Sequence, residues 1–206
     1  MASNQLDSVI LTNPTIVGTV SAEFQPTTFA SRLLSLFPMP LQDARVHDAP
    51  DTFLPTTSAT DDLGLTIGVF GTNGILIQTS DLKSAGATTR YCRWPQVQVP
   101  NNYHTAQSAF IRLYAAMLTT VSDGTATVDV EAYVSDGVGG LSADKCATAA
   151  QSMNSLTPAN LDFDLGSTLL PGDILDVRIT VAVNDGAGAT AVIANIGRAY
   201  LAVDTR

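Results

Sequence analysis

The side chains that most often carry enzyme chemistry are scarce in this chain. It has two histidines, His47 and His104, and two cysteines, Cys92 and Cys146. A Ser-His-Asp site needs one of the histidines, but the sequence lacks the G-x-S-x-G turn that presents a nucleophilic serine. Zinc needs several Cys or His ligands at short spacing, and phosphate cofactors need a glycine-rich loop, and neither pattern is present. The sequence therefore predicts no catalytic residue, no bound cofactor and no enzyme.

Aspartates are the other candidates for site chemistry, because all 19 acidic residues except Glu23 and Glu131 are aspartates. Loop carboxylates that converge at one end of a β-sandwich hold Ca²⁺. The sequence has no D-x-[DN]-x-[DN]-G calcium loop, and aspartate before glycine is ordinary turn chemistry, so calcium stays open as the weaker alternative. Asp162 and Asp164 alternate along one predicted strand, where a glycosidase pair would need a neighbouring strand to complete its geometry. A solvated strand edge is the simpler interpretation.

Aromatic side chains make carbohydrate binding the main alternative function. Binding sites on rigid sandwich scaffolds place a few aromatic and polar side chains where a sugar ring can stack. The candidates for such a platform are Tyr91, Trp94, Tyr103, Tyr114 and Tyr133. Trp94 lies inside a predicted strand beside Pro95, and a lone tryptophan is more often a core residue than a platform.

Charge and composition indicate which elements hold these side chains. Charged residues make up only 14% of the chain, well below the usual ~25%. Lysine and glutamate, which cover exposed helix faces, occur twice each, and this favours strands over helices. The net charge of −9 lacks the basic footprint of a nucleic-acid-binding protein and disfavours adhesion to an anionic membrane. We therefore expect no direct nucleic-acid partner and no membrane partner.

The compartment follows from three further features of the sequence. No apolar run approaches the ~20 residues that span a bilayer. The N-terminal segment has no positively charged region and carries Asp7 early, so it is a poor secretory signal. Two cysteines do not make a disulfide framework, which favours reduced thiols in a chain made in the cytosol. A single bridge between Cys92 and Cys146 remains open.

Residues 61–206 show the period-2 alternation of half-buried strands. In 125–134, Val128, Val130 and Ala132 alternate with Asp129 and Glu131, a separation that a helix cannot produce. Similar patterns predict about eight strands, at 63–70, 74–80, 88–100, 107–121, 125–134, 160–166, 173–185 and 189–204. Gly197 predicts a bulge in the last strand. The segment 143–154 is either a short helix or an irregular crossover. This pattern predicts an all-β antiparallel sandwich of the jelly-roll kind.

Residues 1–60 differ in texture and predict an extended N-terminal arm. They hold six of the ten prolines, which interrupt any long strand pattern. Helical spacing of apolar residues predicts one short helix over 28–37, ended by Pro38. The arm contains too many apolar residues for a solvated linker, so it needs a surface to lie on. That surface belongs either to its own domain or to another subunit.

Several phrases of the sequence resemble a family of virion structural proteins of tailed bacteriophages. They are SLFPMPLQDARV (35–46), ATDDLGL (59–65), SAGATTRY (84–91), MLTTVSDGTATVDVEAY (117–133), ATAAQSMNSLT (147–157) and LPGDILDVRITVAVNDGAGATAVI (170–193). The likeness covers most of the chain but includes no catalytic motif. It implies a capsid-associated protein, made in the host cytoplasm, that decorates or cements the outer surface of the virion shell.

This resemblance implies the major capsid protein as a partner, together with self-association in which a homotrimer is favoured. Apolar arm residues would then fill grooves on the shell or on a sister subunit. The predicted partner-binding residues are Val9, Ile10, Leu11, Ile16, Val17 and Phe24. The alternative function is a carbohydrate-binding or host-recognition β-sandwich module of a head or tail fibre.

Overall fold

The computed structural model describes residues 34–83, 86–105, 107–122, 124–186 and 190–205. Among these residues there are ten strands, and a three-residue 3₁₀ helix at Leu41–Asp43 follows the first of them. The strands are β1 (Leu34–Pro38), β2 (Gly64–Thr66), β3 (Leu76–Gln78), β4 (Gly86–Gln98), β5 (Phe110–Thr119), β6 (Gly124–Ser135), β7 (Gln151–Ser152), β8 (Ala159–Asp164), β9 (Ile174–Asp185) and β10 (Ile193–Asp204). The all-β prediction is confirmed.

The strands form two antiparallel sheets that pack face to face. The first, sheet A, has the order β2-β3-β10-β5-β8, and β1 also pairs with β10; the second, sheet B, has the order β4-β9-β6-β7. From β3 to β10 the chain changes sheet at every connection except β6 to β7. This is the eight-stranded jelly roll, built of two interlocked Greek keys, and it matches the predicted fold class. The strands β1 and β2 are additions to sheet A.

One hydrophobic core fills the space between the sheets. In β9 the side chains of Leu175, Val177, Ile179, Val181 and Val183 are all buried. In the neighbouring strand β6, the predicted inward positions Val128 and Val130 are buried on the same face of sheet B, opposite Val181 and Ile179 in the strand pairing. The alternation read from the sequence is therefore confirmed along most of β6 and β9, whereas β5 and β10 also bury consecutive residues, at 115–117 and 201–204.

The predicted helix over 28–37 is wrong in the part that the structure describes. Leu34–Pro38 is a strand whose backbone pairs antiparallel with the second half of β10, from Leu34 opposite Asp204 to Pro38 opposite Tyr200. β3 covers only Asn195 and Ile196 of that edge, so β10 keeps backbone groups that need partners. Pairing with that edge outweighs the helical spacing. Residues 28–33 lie outside the described residues.

Residues 34–60 pack with the sandwich in one compact unit that runs from Leu33 to Arg206. Met39, Ala44 and Leu54 are buried in the shared core, and the indole N–H of Trp94 donates to the Pro40 carbonyl at 3.0 Å. This segment is irregular, as the prolines predict, yet it forms part of the folded body. Residues 1–33, the remainder of the predicted arm, lie outside the described residues.

The structure also decides two further predictions, the conformation of the segment 143–154 and the bulge at Gly197. The segment 143–154 is a crossover without a helix, and its one regular element is the short strand β7. Asp144 fixes it to β6, because its carboxylate accepts the N–H groups of Ala132 and Cys146, each at 2.9 Å. The register of β10 shifts between Ile196 and Arg198, which confirms the bulge predicted at Gly197.

Candidate functional site

The predicted partner-binding residues all belong to the first 33 positions. Val9, Ile10, Leu11, Ile16, Val17 and Phe24 lie outside the described residues, so their role stays a prediction. Within the described residues, the candidate sites lie on the outer faces of the two sheets.

The outer face of sheet A carries an apolar groove of about 480 Å³ near the bulge of β10. Its walls include Leu76 of β3, Tyr114 and Leu118 of β5, and Leu156 from the loop before β8. Gly197 lies on the floor, where an added Cβ would come 3.5 Å from the Leu76 Cδ2 atom. The missing side chain of Gly197 keeps the groove open between β3 and β5.

The loop that joins β2 to β3 continues this apolar face. Ile67 and Val69 line a second hollow that shares Leu76, Leu118 and Asn195 with the first, so the two hollows form one continuous surface. Phe70 lies at the loop tip and is fully exposed, while Ile67 and Val69 are 67% and 66% exposed. The surface made by the groove and this loop is called the apolar face below.

The β2–β3 loop holds its apolar tip in a closed turn. The N–H groups of Thr72 and Asn73 donate to the Val69 carbonyl at 2.9 and 3.0 Å. Gly68 lies directly against the Asn73 carbonyl, where a Cβ would collide with backbone atoms. The exposed position of Phe70 is therefore a consequence of loop geometry, because the chain cannot fold the tip inward without opening this turn.

The outer face of sheet B is polar and carries ion pairs between neighbouring strands. Arg93 of β4 forms a two-pronged pair with Asp176 of β9, and Arg178 of β9 pairs with Glu131 of β6. The bond to Asp176 raises the pKa of the Arg93 guanidinium, so this side chain is positively charged throughout the physiological range. Arg93, Asp176 and Arg178, together with Tyr133, border a shallow hollow of about 220 Å³.

A histidine from the segment before β2 lies beside this hollow. His47 Nδ1 is 3.3 Å from Asp62 Oδ1, and its Nε2 is 3.7 Å from Asp61 Oδ2. Its ring packs against Tyr91, with 4.6 Å between the ring centroids. In the described part of the chain, His47, Asp61 and Asp62 are the three side chains that come close enough together to be potential metal ligands. The contacts of His47 with the two carboxylates and with the Tyr91 ring account for the arrangement, and we assign no metal ion to it.

The structure separates the five candidate aromatic residues into two groups. Trp94 and Tyr103 are buried, with 2% and 4% of their surface exposed, so neither can stack on a sugar. Tyr91 and Tyr133 are half-buried on the outer face of sheet B. The Tyr133 hydroxyl lies 3.3 Å from the Glu131 carboxylate, and burial raises the Tyr133 pKa. Tyr114 is half-buried as well, but it belongs to the apolar face of sheet A.

The aspartates raised as chemical candidates serve as structural partners. Asp162 accepts two N–H groups of Arg112 at 2.6 and 2.7 Å across the β5–β8 pair. Asp164 accepts the Gly166 N–H at 2.7 Å, and Asp136 accepts the N–H groups of Val138 and Gly140 in its turn. These bonds lower the pKa of Asp136. The turn interpretation of Asp136 therefore agrees with the geometry.

Both cysteines are free thiols, which answers the question of their pairing. Cys92 is fully buried in the core, and burial raises its pKa well above the usual range. Cys146 is half-buried, and burial raises its pKa to about 11. Since the thiolate is the reactive form, neither residue is an activated nucleophile.

Known proteins similar to this chain are found by structure and not by sequence. No protein-family model matches the sequence, and no curated protein matches it. An arabinose-bound α-L-arabinofuranosidase has 12% identity and a TM-score of 0.42 over 84% of this chain, which spans 27% of that protein's length. The CBM22-1 xylan-binding domain of Xyn10C from Paenibacillus barcinonensis has 12% identity and a TM-score of 0.38, over 84% of this chain and 99% of that domain.

A virus structure is also among the similar folds. The structure of infectious bursal disease virus, Gt strain, has 12% identity and a TM-score of 0.33, over 73% of this chain and 41% of that chain. At these identities and TM-scores we take no functional inference from any of the three. Separately, the described part of the chain holds no helix with the length and apolar character needed to cross a bilayer.

The sequence named Tyr91, Tyr114 and Tyr133 as candidate aromatic residues but did not identify either outer face as a site, although the face of sheet A left a signal. Toward the end of β5 the outward positions Ala116 and Leu118 are as apolar as the inward positions Ala115 and Met117. A strand that is apolar on both faces is typical of a sheet covered on both sides. That pattern indicates a covered face on sheet A. The ion pairs of sheet B depend on which strands are neighbours, which the sequence does not specify.

Proposed function

We propose that this chain is a non-enzymatic structural protein of a phage virion that decorates the outer capsid shell and stabilises it. The observation that carries this proposal is the apolar face, because an uncovered apolar surface on an acidic jelly-roll protein is expected of a subunit that works within a protein assembly. Exposed contiguous apolar surface of this extent marks protein contact sites in stable proteins. The resemblance of the sequence to phage virion proteins gives the partner class, with the major capsid protein as the binding partner.

The mechanism of stabilisation is mass action. A protein that binds the assembled shell and not its separated subunits shifts the equilibrium toward the shell. The rigid sandwich supplies a fixed surface, and the predicted arm supplies further apolar contacts through Val9, Ile10, Leu11, Ile16, Val17 and Phe24. The net charge of −9 fits an outward-facing position better than contact with packaged DNA, because like charges repel.

The proposal is tested with empty shells of the phage that encodes the chain. Purified protein is mixed with the shells, and attachment is measured by co-sedimentation and by the shell's thermal transition. We expect the full chain to bind and to raise that transition, and a chain lacking residues 1–25 to lose attachment while keeping its circular dichroism spectrum. Val138→Asp, which changes an exposed loop residue of sheet B, is the matched control and retains binding. Shells that never retain the full chain contradict the decoration role.

A second candidate function, glycan binding, is supported by the outer face of sheet B. Tyr133 lies beside Arg93 and Arg178, whose ion pairs hold the two guanidinium groups in fixed orientations. Guanidinium N–H groups can donate to the hydroxyl groups of a sugar, and the tyrosine ring can stack on the face of the sugar. The ligand class that fits this hollow best is a neutral polysaccharide. Arg93 and Arg178 are each paired with a carboxylate and Tyr133 is uncharged, so these three residues offer no unpaired charge to a ligand.

Glycan binding is tested on an array of plant and bacterial polysaccharides, followed by calorimetry on any ligand found. If the hollow is the site, Tyr133→Ala weakens binding by at least tenfold. Tyr114→Ala, which removes a similarly exposed tyrosine from the opposite sheet, leaves affinity unchanged. An array without reproducible ligands, or equal effects of the two substitutions, counts against a sugar site here.

A further inference from the structure

The apolar face contains both a protruding residue and a recess that can receive one. The exposed Phe70 directly follows Val69, which lines the hollow that adjoins the groove bordered by Leu76, Leu118 and Leu156. A groove of about 480 Å³ lies within the range that accommodates compact apolar ligands. One surface therefore carries both halves of a contact, which is the condition for self-complementarity.

Charge decides in favour of a second copy of this chain as the occupant. Two molecules that each carry −9 repel one another over most of their surfaces. Among the described residues that line the two hollows there is no Asp, Glu, Lys or Arg. A second copy can approach this face without opposing like charges at its centre. The polar atoms that remain there, including those of Asn195, belong to neutral side chains.

The exposed area is also sufficient for such a contact. Five exposed apolar residues together offer roughly 700 Å² of accessible surface per copy. This area is close to the roughly 800 Å² that each partner buries in a standard protein interface. The five residues are Ile67 (67%), Val69 (66%), Phe70 (103%), Leu118 (55%) and Leu156 (64%). The closed turn that presents Phe70 reduces the entropy lost on binding, because the tip needs no reordering.

We infer that the apolar face is a self-association surface, in which Phe70 of one copy enters the groove beside Leu156 of another. The inference rests on the proposed structural role, for which it names a second copy of the chain as a partner. It places the contact on the face of sheet A, whereas the sequence alone directs attention to the arm.

The test is the mass of the full-length protein in solution, measured by sedimentation equilibrium over a range of concentrations. We expect wild type to self-associate, and Phe70→Asp and Leu156→Asp each to weaken association at least a hundredfold. Val138→Asp is the matched control, because Val138 is 90% exposed and lies outside both hollows. Circular dichroism and urea unfolding of each variant separate loss of the contact from loss of folding.

Mixing the two variants tests the specific arrangement. Phe70→Asp retains an intact groove and Leu156→Asp retains an intact Phe70, so the mixture re-forms one contact and gives a mixed species that neither variant gives alone. A wild-type protein that stays monomeric overturns the inference, as does a Val138→Asp variant that dissociates as fully as Phe70→Asp. A monomeric wild type that binds shells through Phe70 identifies the shell as the occupant. That result rejects the second copy while leaving the decoration role in place.

Discussion

At the scale of single residues, glycines at two positions shape the apolar face by having no side chain. Gly68 allows the β2–β3 loop to close against the Asn73 carbonyl, and Gly197 leaves the groove floor open beside Leu76. Gly68 meets a residue five positions later in its own loop, whereas Gly197 meets Leu76, which is far from it along the chain. The sequence shows where the glycines are, but it does not show what approaches them.

Gly68→Ala is expected to destabilise the protein by about 1–3 kcal/mol, because the new Cβ collides with backbone atoms that cannot move independently. Urea unfolding measures the change. Gly74→Ala is the matched control in the same loop, where an added Cβ meets nothing within 4 Å. That substitution is expected to be neutral or to stabilise by up to about 1 kcal/mol through the unfolded chain. Equal effects at the two sites would contradict the steric explanation.

At the scale of elements, the connection after β3 extends the pairing of this short strand through backbone groups and one side chain. After β3 ends at Gln78, the Thr79 N–H donates to the Ala194 carbonyl at 3.0 Å, and the Leu82 N–H donates to the Val192 carbonyl at 2.9 Å. Asp81 joins the same edge, because its carboxylate accepts the Val192 N–H at 2.9 Å. The connection therefore behaves as a continuation of β3 along β10.

Asp81 makes this connection sensitive to acid. The Val192 N–H stabilises the carboxylate and lowers the Asp81 pKa from its ordinary value of 3.8. A pKa that is lower in the folded state adds stability above pH 3.8, and that stability is lost as the pH falls through the folded-state pKa. We expect Asp81→Asn to reduce the fall in unfolding free energy between pH 5 and about pH 2, measured by urea titration. Parallel profiles for the variant and wild type would refute this linkage.

At the scale of the whole molecule, the compact unit begins at Leu33 and not near residue 60. β1 completes the edge of β10, and Met39, Leu41 and Leu54 add side chains to the common core. Each large apolar side chain contributes about 1.5–3 kcal/mol when buried, and a domain has only about 5–15 kcal/mol in total. Residues 34–60 are therefore part of what keeps the sandwich folded.

Truncation separates the two boundaries. A chain that starts at residue 33 is expected to unfold cooperatively with a urea midpoint close to that of the full chain. A chain that starts at residue 61 is expected to lose its fold or to form an expanded state, because β10 loses its β1 partner and the core loses three large side chains. Circular dichroism and urea titration read both outcomes. A stable protein from residue 61 would show that the segment is dispensable.

The sequence by itself determined the fold class and most of the strands. Period-2 alternation in segments such as 125–134 and 173–185 depends only on which residues prefer water, so it survives without knowledge of strand neighbours. All eight predicted strands are present, and Gly197 is the predicted bulge. The irregular segments were harder, because their conformation depends on the partners they meet. Leu34–Pro38 became a strand only because β10 had an open edge beside it.

Only the tertiary structure decided where binding surfaces lie. The apolar face brings the β2–β3 segment with Ile67 and Leu76 together with Leu118 and Leu156, which come from two other parts of the chain, and no local pattern encodes that proximity. The ion pairs of sheet B likewise require β4, β9 and β6 to be neighbours, an order that follows from the jelly-roll connections. Alternation along a single strand shows which of its side chains face the core, because this depends only on the order of apolar and polar residues in that strand. A site is a relation between strands, and that relation exists only once the sheets have formed.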